Sequence, residues 1–410
     1  MQRQVRAFLI AAAGLLAAQL ATAGGPLGVR TNGQPYVWST TGEIQYRTDG
    51  GPLSGTVTEA QARARVAAMF NVWENVASAS IGYNRTGPIL DIGAFTDGDV
   101  STAVEFDAVS GACGAGTQNP IVYDVTGEIF EDVVADDTVI GFAGPCAIDP
   151  GTGQILSGSA TMNGLYQDGE DLPIEDLPAA AYDAVFIHEF GHFSGLDHSQ
   201  INVECASINC GTDNLAGLPT MFPFLVSVQQ GTLSIDDIAW ISKLYPAAGG
   251  SGFNATHGTI TGTIYFSDGE THAQLVNVVA RRVDTAGGPD ESRTTAGSGV
   301  SGNRFRVFRG NPINLPDDQP LGPFGGDNPA EIGFYEIPLP PGNYTIEVES
   351  IDPQFVAGSS VGGDERIDLP GTAPPPSAPI SVVAGQTDSG NDVTLIGTPP
   401  RFDQFEGPGP

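Results

Sequence analysis

The stretch VFIHEFGHFSGLDHS, residues 185–199, contains three of the five histidines in this 410-residue chain. His188 and His192 are one helical turn apart, and side chains so spaced project from the same face of a helix, where two imidazoles can bind one metal ion. Gly195 can adopt a positive backbone angle and end the helix, so the chain can turn back. His198 can then reach the same ion as a third ligand.

Three protein ligands with a fourth position left to water are typical of a catalytic zinc site rather than a structural one. Glu189 follows the first histidine, and its carboxylate can take a proton from a zinc-bound water and deliver it to a leaving amine. The short pattern HExxH is common by chance, but a third histidine at this offset is rare in a histidine-poor chain. The sequence therefore predicts one catalytic Zn²⁺ bound by His188, His192 and His198, with Glu189 as general base.

The sequence around this motif predicts alternating helices and strands. Apolar residues at spacings of three and four predict helices over 58–78, 174–195 and 233–246. Short alternating segments predict strands over 42–48, 119–127 and 154–164.

A composition change near residue 250 separates two regions. Residues 248–256 are small and almost uncharged, which is typical of a linker. Beyond them, short strands separated by Gly, Pro, Asn and Asp predict an all-β sandwich over 257–397. Residues 24–247 then form a separate unit that we expect to fold alone, and the Pro- and Gly-rich tail 398–410 is predicted to be disordered.

The N-terminus has the pattern of a secretory signal peptide. Residues 1–23 combine early arginines, an apolar run and the small residues Ala21-Thr22-Ala23. The alternative is a retained anchor, but the run is shorter than the ~20 residues that a spanning helix needs, and no later segment is apolar enough. We therefore expect an exported, extracellular protein that does not span a membrane.

The charge of the chain excludes one class of partner. It has 48 acidic and 16 basic residues, a formal net charge of −32. Such a surface repels nucleic acids and anionic membranes. Among the acidic residues, Asp124 and Glu128 either bind Ca²⁺ or form a solvated turn, and the sequence leaves both open.

Four cysteines in an exported chain indicate disulfides, for which three pairings are possible. Cys205 and Cys210 are close enough in sequence to close a small loop, which would leave Cys113 with Cys146. Their spacing does not resemble that of a zinc-cysteine site.

The segment HEFGHFSGLDH, residues 188–198, resembles the long zinc motif HExxHxxGxxH of the metzincin metallopeptidases. The metzincin clan has a methionine turn beneath the zinc, and Met221 in LPTMFPF matches it. Ser199 after the third histidine is typical of the matrixins, and 233–246 resembles their last helix. The resemblance covers about residues 40–247 and implies an α+β fold, a twisted sheet with three helices, in a zinc endopeptidase.

The resemblance also implies features of substrate binding. Pro223, Phe224 and Leu225 would line a pocket for an apolar side chain after the cleaved bond. A substrate strand would pair with an edge strand near 155–162. Substrates would be proteins or peptides, and we expect a monomer.

One feature of the sequence departs from the matrixin pattern. The histidines of the second matrixin metal cluster are missing, because only His257 and His272 remain and both follow the linker. The β region is similar to carboxypeptidase regulatory-like domains. The alternative is a non-catalytic zinc-binding surface or adhesion protein that acts through its β region, and the presence of Glu189 argues against it.

Overall fold

The computed structural model describes the two regions on either side of residue 250 and most of their connections. The described residues are 24–111, 118–134, 139–170, 174–203, 215, 217–274, 276–284, 295–304, 326, 328–349 and 371–397. The predicted signal peptide and the C-terminal tail lie outside them. Within the described part of the chain, no helix is long and apolar enough to cross a membrane.

The first region is built on a five-stranded mixed sheet. Its strands are β1 (Ile44–Thr48), β2 (Tyr83–Pro88), β3 (Pro120–Asp124), β4 (Gly141–Asp149) and β5 (Gln154–Asn163). Their order is β2-β1-β3-β5-β4, and only the β4–β5 pair is antiparallel. The expectation that 155–162 is an edge strand is wrong, because β5 pairs on both sides and β4 forms that edge of the sheet.

Helices cover this sheet and frame the histidine motif. Within the described ranges, the α-helices with defined bounds are α1 (Glu59–Glu74), α2 (Ala103–Ser110), α3 (Ala179–Phe193), α4 (Ile235–Leu244) and the short α5 (Phe253–Thr256). Single turns occur at Phe130–Val134, Gly164–Gln167, Val228–Gly231, Gly249–Ser251 and Pro329–Glu331.

Helix α3 carries the motif, and aromatic packing fixes its position against α1. The rings of Phe70 and Phe190 stack with centroids 3.7 Å apart, and the Trp73 indole donates to the carbonyl of Ile187 at 2.9 Å. These residues belong to a buried cluster that joins α1, α3 and the sheet. Burial of aromatic side chains contributes most of the favourable free energy that holds α3 in place.

The described residues of the second region form strands, the single turn Pro329–Glu331 and one main apolar core. Its strands are β6 (Gly258–Tyr265), β7 (Asn277–Arg282), β8 (Ala296–Val300), β9 (Phe334–Leu339), β10 (Gly342–Glu349), β11 (Ile380–Val382), β12 (Thr387–Asp388) and β13 (Val393–Thr394). One sheet has the order β11-β10-β7-β8, and in the other β6 pairs with β9, β12 and β13. Apolar residues of both sheets share one buried cluster, so the sheets pack face to face. We call this region the β-sandwich.

The two regions pack directly against each other. Helix α4 lies along β8 and β9, and the ammonium of Lys243 forms an ion pair with the buried carboxylate of Glu336. Segment 248–256, predicted to be a linker, contains the turn Gly249–Ser251 and α5.

Candidate metal centre

The C-terminal end of α3 turns sharply and so returns the chain toward the helix. Gly195 has φ of +87°, a left-handed conformation that glycine adopts without a Cβ penalty. Its amide donates to the carbonyl of His192 at 2.8 Å. The Trp38 indole donates to the carbonyl of Phe193 at 2.7 Å, and the Tyr245 hydroxyl donates to that of Ser194. Carbonyls that would be orphaned at the helix end are thereby satisfied.

The turn brings three imidazoles together. The Nε2 atoms of His188 and His192 are 3.1 Å apart, those of His192 and His198 are 3.0 Å apart, and those of His188 and His198 are 3.2 Å apart. Three nitrogens bound to one tetrahedral Zn²⁺ would be separated by ~3.3 Å, given metal–nitrogen bonds of ~2.0–2.1 Å. The group can hold a metal ion, and its spacing fits an ion of this size.

Backbone carbonyls orient two of the three rings. The Nδ1 atom of His188 lies 2.8 Å from the carbonyl oxygen of Thr220, and that of His192 lies 2.9 Å from the carbonyl oxygen of Leu196. A carbonyl can only accept, so each Nδ1 carries the proton. The Nε2 lone pairs are then left to face the centre of the triad, as a metal requires.

Burial keeps the three rings neutral. It lowers the pKa of His188 to about 4. Burial, together with the neighbouring His188 ring, lowers the pKa of His192 to about 3. The pKa of His198 also falls well below its usual value through burial and the other two rings. At neutral pH no proton competes with a metal for the lone pairs, which favours metal binding.

Glu189 is buried beside the triad and packs against the edge strand. A Cβ added to Gly141, the first residue of β4, would come within 2.9 Å of its Cγ. Burial raises the pKa of Glu189 to about 8. A carboxyl group with a pKa near the working pH can both accept and release a proton, which suits a general base. A bound cation would lower this pKa.

The predicted methionine turn lies directly under the motif. Met221 is 2% exposed, and its carbonyl accepts the amide hydrogen of Ser199 at 2.7 Å, next to the third histidine. A Cβ on Gly191 would overlap the Met221 sulfur. The turn therefore contacts both the helix and the loop that supply the ligands.

Sequence reasoning missed the residue that holds this turn. The Asp237 carboxylate accepts amide hydrogens from Thr220 at 2.9 Å, from Met221 at 3.1 Å and from Ser234 at 2.7 Å. The capping-box spacing of Ser234 and Asp237 marks the start of α4. No pattern in the neighbouring sequence indicates that the same carboxylate also accepts a hydrogen bond from Met221, sixteen residues earlier.

The residues predicted to line a substrate pocket follow Met221. The Phe224 side chain is 44% exposed, and its carbonyl accepts from the Gln230 amide at 2.8 Å. Leu225 is half-buried and packs against the main core, and Pro223 is half-buried. An exposed aromatic side chain three residues after Met221 is compatible with a pocket, which stays a prediction.

Two further predictions stay untested. The Asp124 carboxylate is buried and accepts the Phe130 amide hydrogen at 3.0 Å, while Glu128 accepts that of Ala103 at 3.4 Å. Each carboxylate therefore accepts a hydrogen bond from the backbone. Calcium binding remains a prediction.

The disulfide pairing also stays a prediction. Cys146 is disulfide-bonded, but Cys113, Cys205 and Cys210 lie outside the described residues. The pairing expected from the sequence is therefore not decided by the described part of the chain.

Comparisons with known proteins add little to this geometry. No protein-family model matches the chain, and no curated protein matches it. Among solved structures, a leucine-rich repeat protein from Bacteroides thetaiotaomicron VPI-5482 is 13% identical with a TM-score of 0.18, over 34% of this chain and 14% of that chain. This likeness is too weak to indicate a shared fold, so the functional argument rests on the site itself.

Proposed function

We propose that the protein is a secreted, zinc-dependent endopeptidase of the matrixin type that hydrolyses peptide bonds in proteins or peptides. The observation that carries this proposal is the convergence of three neutral histidine nitrogens within 3.0–3.2 Å beside the buried carboxyl group of Glu189. A set of imidazole ligands without thiolates or oxygen donors suits Zn²⁺.

In the proposed reaction Glu189 is the general base. His188, His192 and His198 would hold Zn²⁺, which would supply Lewis acidity toward the scissile carbonyl and lower the pKa of the attacking water. Glu189 takes a proton from that water and then delivers it to the leaving amine. Burial raises the pKa of this carboxyl group in the metal-free protein and a bound cation would lower it again, so the group is suited to accept a proton and release it.

Strand β4 supplies the surface on which an extended substrate would lie. It is the edge of the sheet, and its first residue, Gly141, touches the Glu189 side chain. A peptide that adds to this edge through main-chain hydrogen bonds would pass the carboxylate at close range. The exposed Phe224 side chain supports a preference for an apolar residue after the cleaved bond.

The proposal is tested by metal content and peptidase activity together. The wild-type protein should contain one zinc per chain, cleave casein and a peptide library, and lose this activity with a chelator. Glu189→Ala should keep the zinc and lose about 10²–10⁴-fold in rate or more, because general-base help contributes this much. Glu43→Ala, at an exposed position, is the matched control and should behave as wild type.

Two outcomes would contradict the proposal. Full activity of Glu189→Ala would reject the mechanism. A zinc-loaded wild type as inactive as Glu189→Ala on every peptide would instead favour a non-catalytic zinc-binding surface or adhesion protein.

A further inference from the structure

The third ligand lies on an irregular segment that needs support from elsewhere. Residues 197–202, around His198, contain no helix or strand. Its N-terminal side is held by residues 24–27, since Leu27 donates to the carbonyl of Gly195 at 2.7 Å and Asp197 donates to that of Gly25 at 3.0 Å. On the other side of His198, the Met221 carbonyl accepts the Ser199 amide hydrogen, and further support comes from the β-sandwich.

The four residues after His198 are buried against β7 and β8. The Ser199 and Ser298 hydroxyls are 3.1 Å apart. The carbonyl of Gln200 accepts from the Asn277 amide at 3.1 Å. Each of these residues is at most 1% exposed. The loop therefore contacts the β-sandwich from Ser199, the first residue after His198, onward.

The next two residues of the loop continue the contact. Ile201 packs with Val279 and Ala296 in a small apolar cluster. The Asn202 side chain accepts from the guanidinium of Arg281 at 2.7 Å. Asn202 has φ of +61°, a conformation that costs free energy for a residue other than glycine and persists where surrounding contacts hold it.

Ser298 also binds the helix that anchors the methionine turn. Its amide donates to the Asp236 carboxylate at 2.7 Å, and its carbonyl accepts from the Trp240 indole at 3.1 Å. Asp236 precedes Asp237, the residue that holds Thr220 and Met221. One serine of the β-sandwich therefore touches both the ligand loop and α4.

We propose that the β-sandwich is a structural part of the metal site, and that Ser298 and Asn277 are positioning residues that hold the His198 loop ready to bind the metal. An irregular segment loses conformational entropy when it is fixed, and contacts made before the metal arrives remove that cost from the binding step. Residues that orient ligands typically change metal affinity by about 10–100-fold when they are replaced.

The proposal rests on metal binding by the triad and does not require that the protein is a peptidase. The test measures the zinc dissociation constant of the full chain by competition with a chromophoric chelator. Ser298→Ala and Asn277→Ala should each weaken zinc binding by about tenfold or more.

Ser301→Ala is the matched control for these variants. Ser301 is also fully buried and donates to the carbonyl of Ala273 at 2.7 Å, but its hydrogen bonds stay inside the β-sandwich. It should lose folding stability and keep wild-type zinc affinity. Wild-type affinity in Ser298→Ala and Asn277→Ala, or an equal loss in Ser301→Ala, would overturn the proposal.

A measurement on the unmodified chain decides the question if the variants fail to fold. Because coupling between two sites is reciprocal, zinc should slow hydrogen–deuterium exchange in β7 and β8 more than in β11 and β13. Unchanged exchange in β7 and β8 with zinc bound would reject the proposal. A wild-type chain that binds no zinc would instead reject the proposed function.

Discussion

A Cβ atom placed on Gly191 would overlap the sulfur of Met221 and lie 2.9 Å from the indole of Trp73. Gly191 stands one residue before His192, so helix α3 and the turn at Met221 touch beside the candidate metal centre. A side chain at this position would push the turn and the helix apart.

Gly191→Ala tests this contact. Because the extra methyl group overpacks a fixed core, we expect the free energy of unfolding to fall by about 1–3 kcal/mol and zinc affinity to fall with it. The matched control is Gly42→Ala, where a Cβ would meet nothing within 4 Å. Urea denaturation and zinc competition provide the two readouts, and equal behaviour of the two variants would show that the contact is unimportant.

Asp237→Ala should destabilise the methionine turn. It leaves the amides of Thr220, Met221 and Ser234 without their acceptor, and each buried unsatisfied donor costs about 1–3 kcal/mol. Zinc affinity should also fall, because the carbonyl of Thr220 orients His188. Asp268→Ala, which removes an exposed turn aspartate of the β-sandwich that accepts from Glu270 and Thr271, should leave zinc affinity unchanged. Wild-type zinc affinity in Asp237→Ala would show that the turn does not contribute to zinc binding.

Zinc should stabilise the folded chain in proportion to the logarithm of its concentration. At a free concentration of 100 times the dissociation constant, the gain is about 2.7 kcal/mol if only the folded state binds. His198→Ala should abolish most of the rise in Tm, while His272→Ala, outside the triad, should retain it. A similar zinc-dependent rise in Tm in both variants would show that the stabilising zinc binds at a site other than the histidine triad.

The metal-free protein should lose stability on both sides of neutrality. Glu189 has a folded pKa of about 8, above its ordinary 4.5, so the folded state binds more protons and stability falls as pH rises toward 8. The lowered pKa values of His188 and His192 act in the opposite direction, so stability falls as pH drops from about 6.5 toward 4.

Glu189→Gln removes the contribution of the Glu189 carboxylate to the pH dependence of stability and keeps that of the histidines. With chelator present, its unfolding free energy should fall less than that of wild type between pH 6.5 and 8, and the histidine-dependent fall at lower pH should remain. Parallel pH profiles of the two proteins, measured by urea denaturation, would contradict the burial of an ionisable group at Glu189.

The convergence of the three histidines could be predicted because their geometry is local. His188 and His192 are related by one helical turn, and Gly195 marks the return of the chain, so spacing alone brings His198 near. The edge of the sheet could not be predicted in this way. Alternation in residues 154–164 indicates a strand, but it does not show whether that strand has one neighbour or two.

The residues that hold the site in place could not be predicted from the sequence for a similar reason. The spacing of Ser234 and Asp237 indicates a helix start, but the bonds of Asp237 to Thr220 and Met221 depend on how the chain folds back. Ser298 and Asn277 belong to a region whose composition predicted a separate domain. Contacts between distant segments leave no periodic pattern in either partner.

The pairing of Ser199 with Ser298 joins positions 99 residues apart, and this separation sets an order of events during synthesis. A chain that emerges N-terminus first presents all three histidines well before β8 exists. Under the proposed positioning role, the loop that carries His198 gains its full support only after β7 and β8 have been synthesised. The metal site of a chain built in this way would be completed late, when most of the sequence already exists.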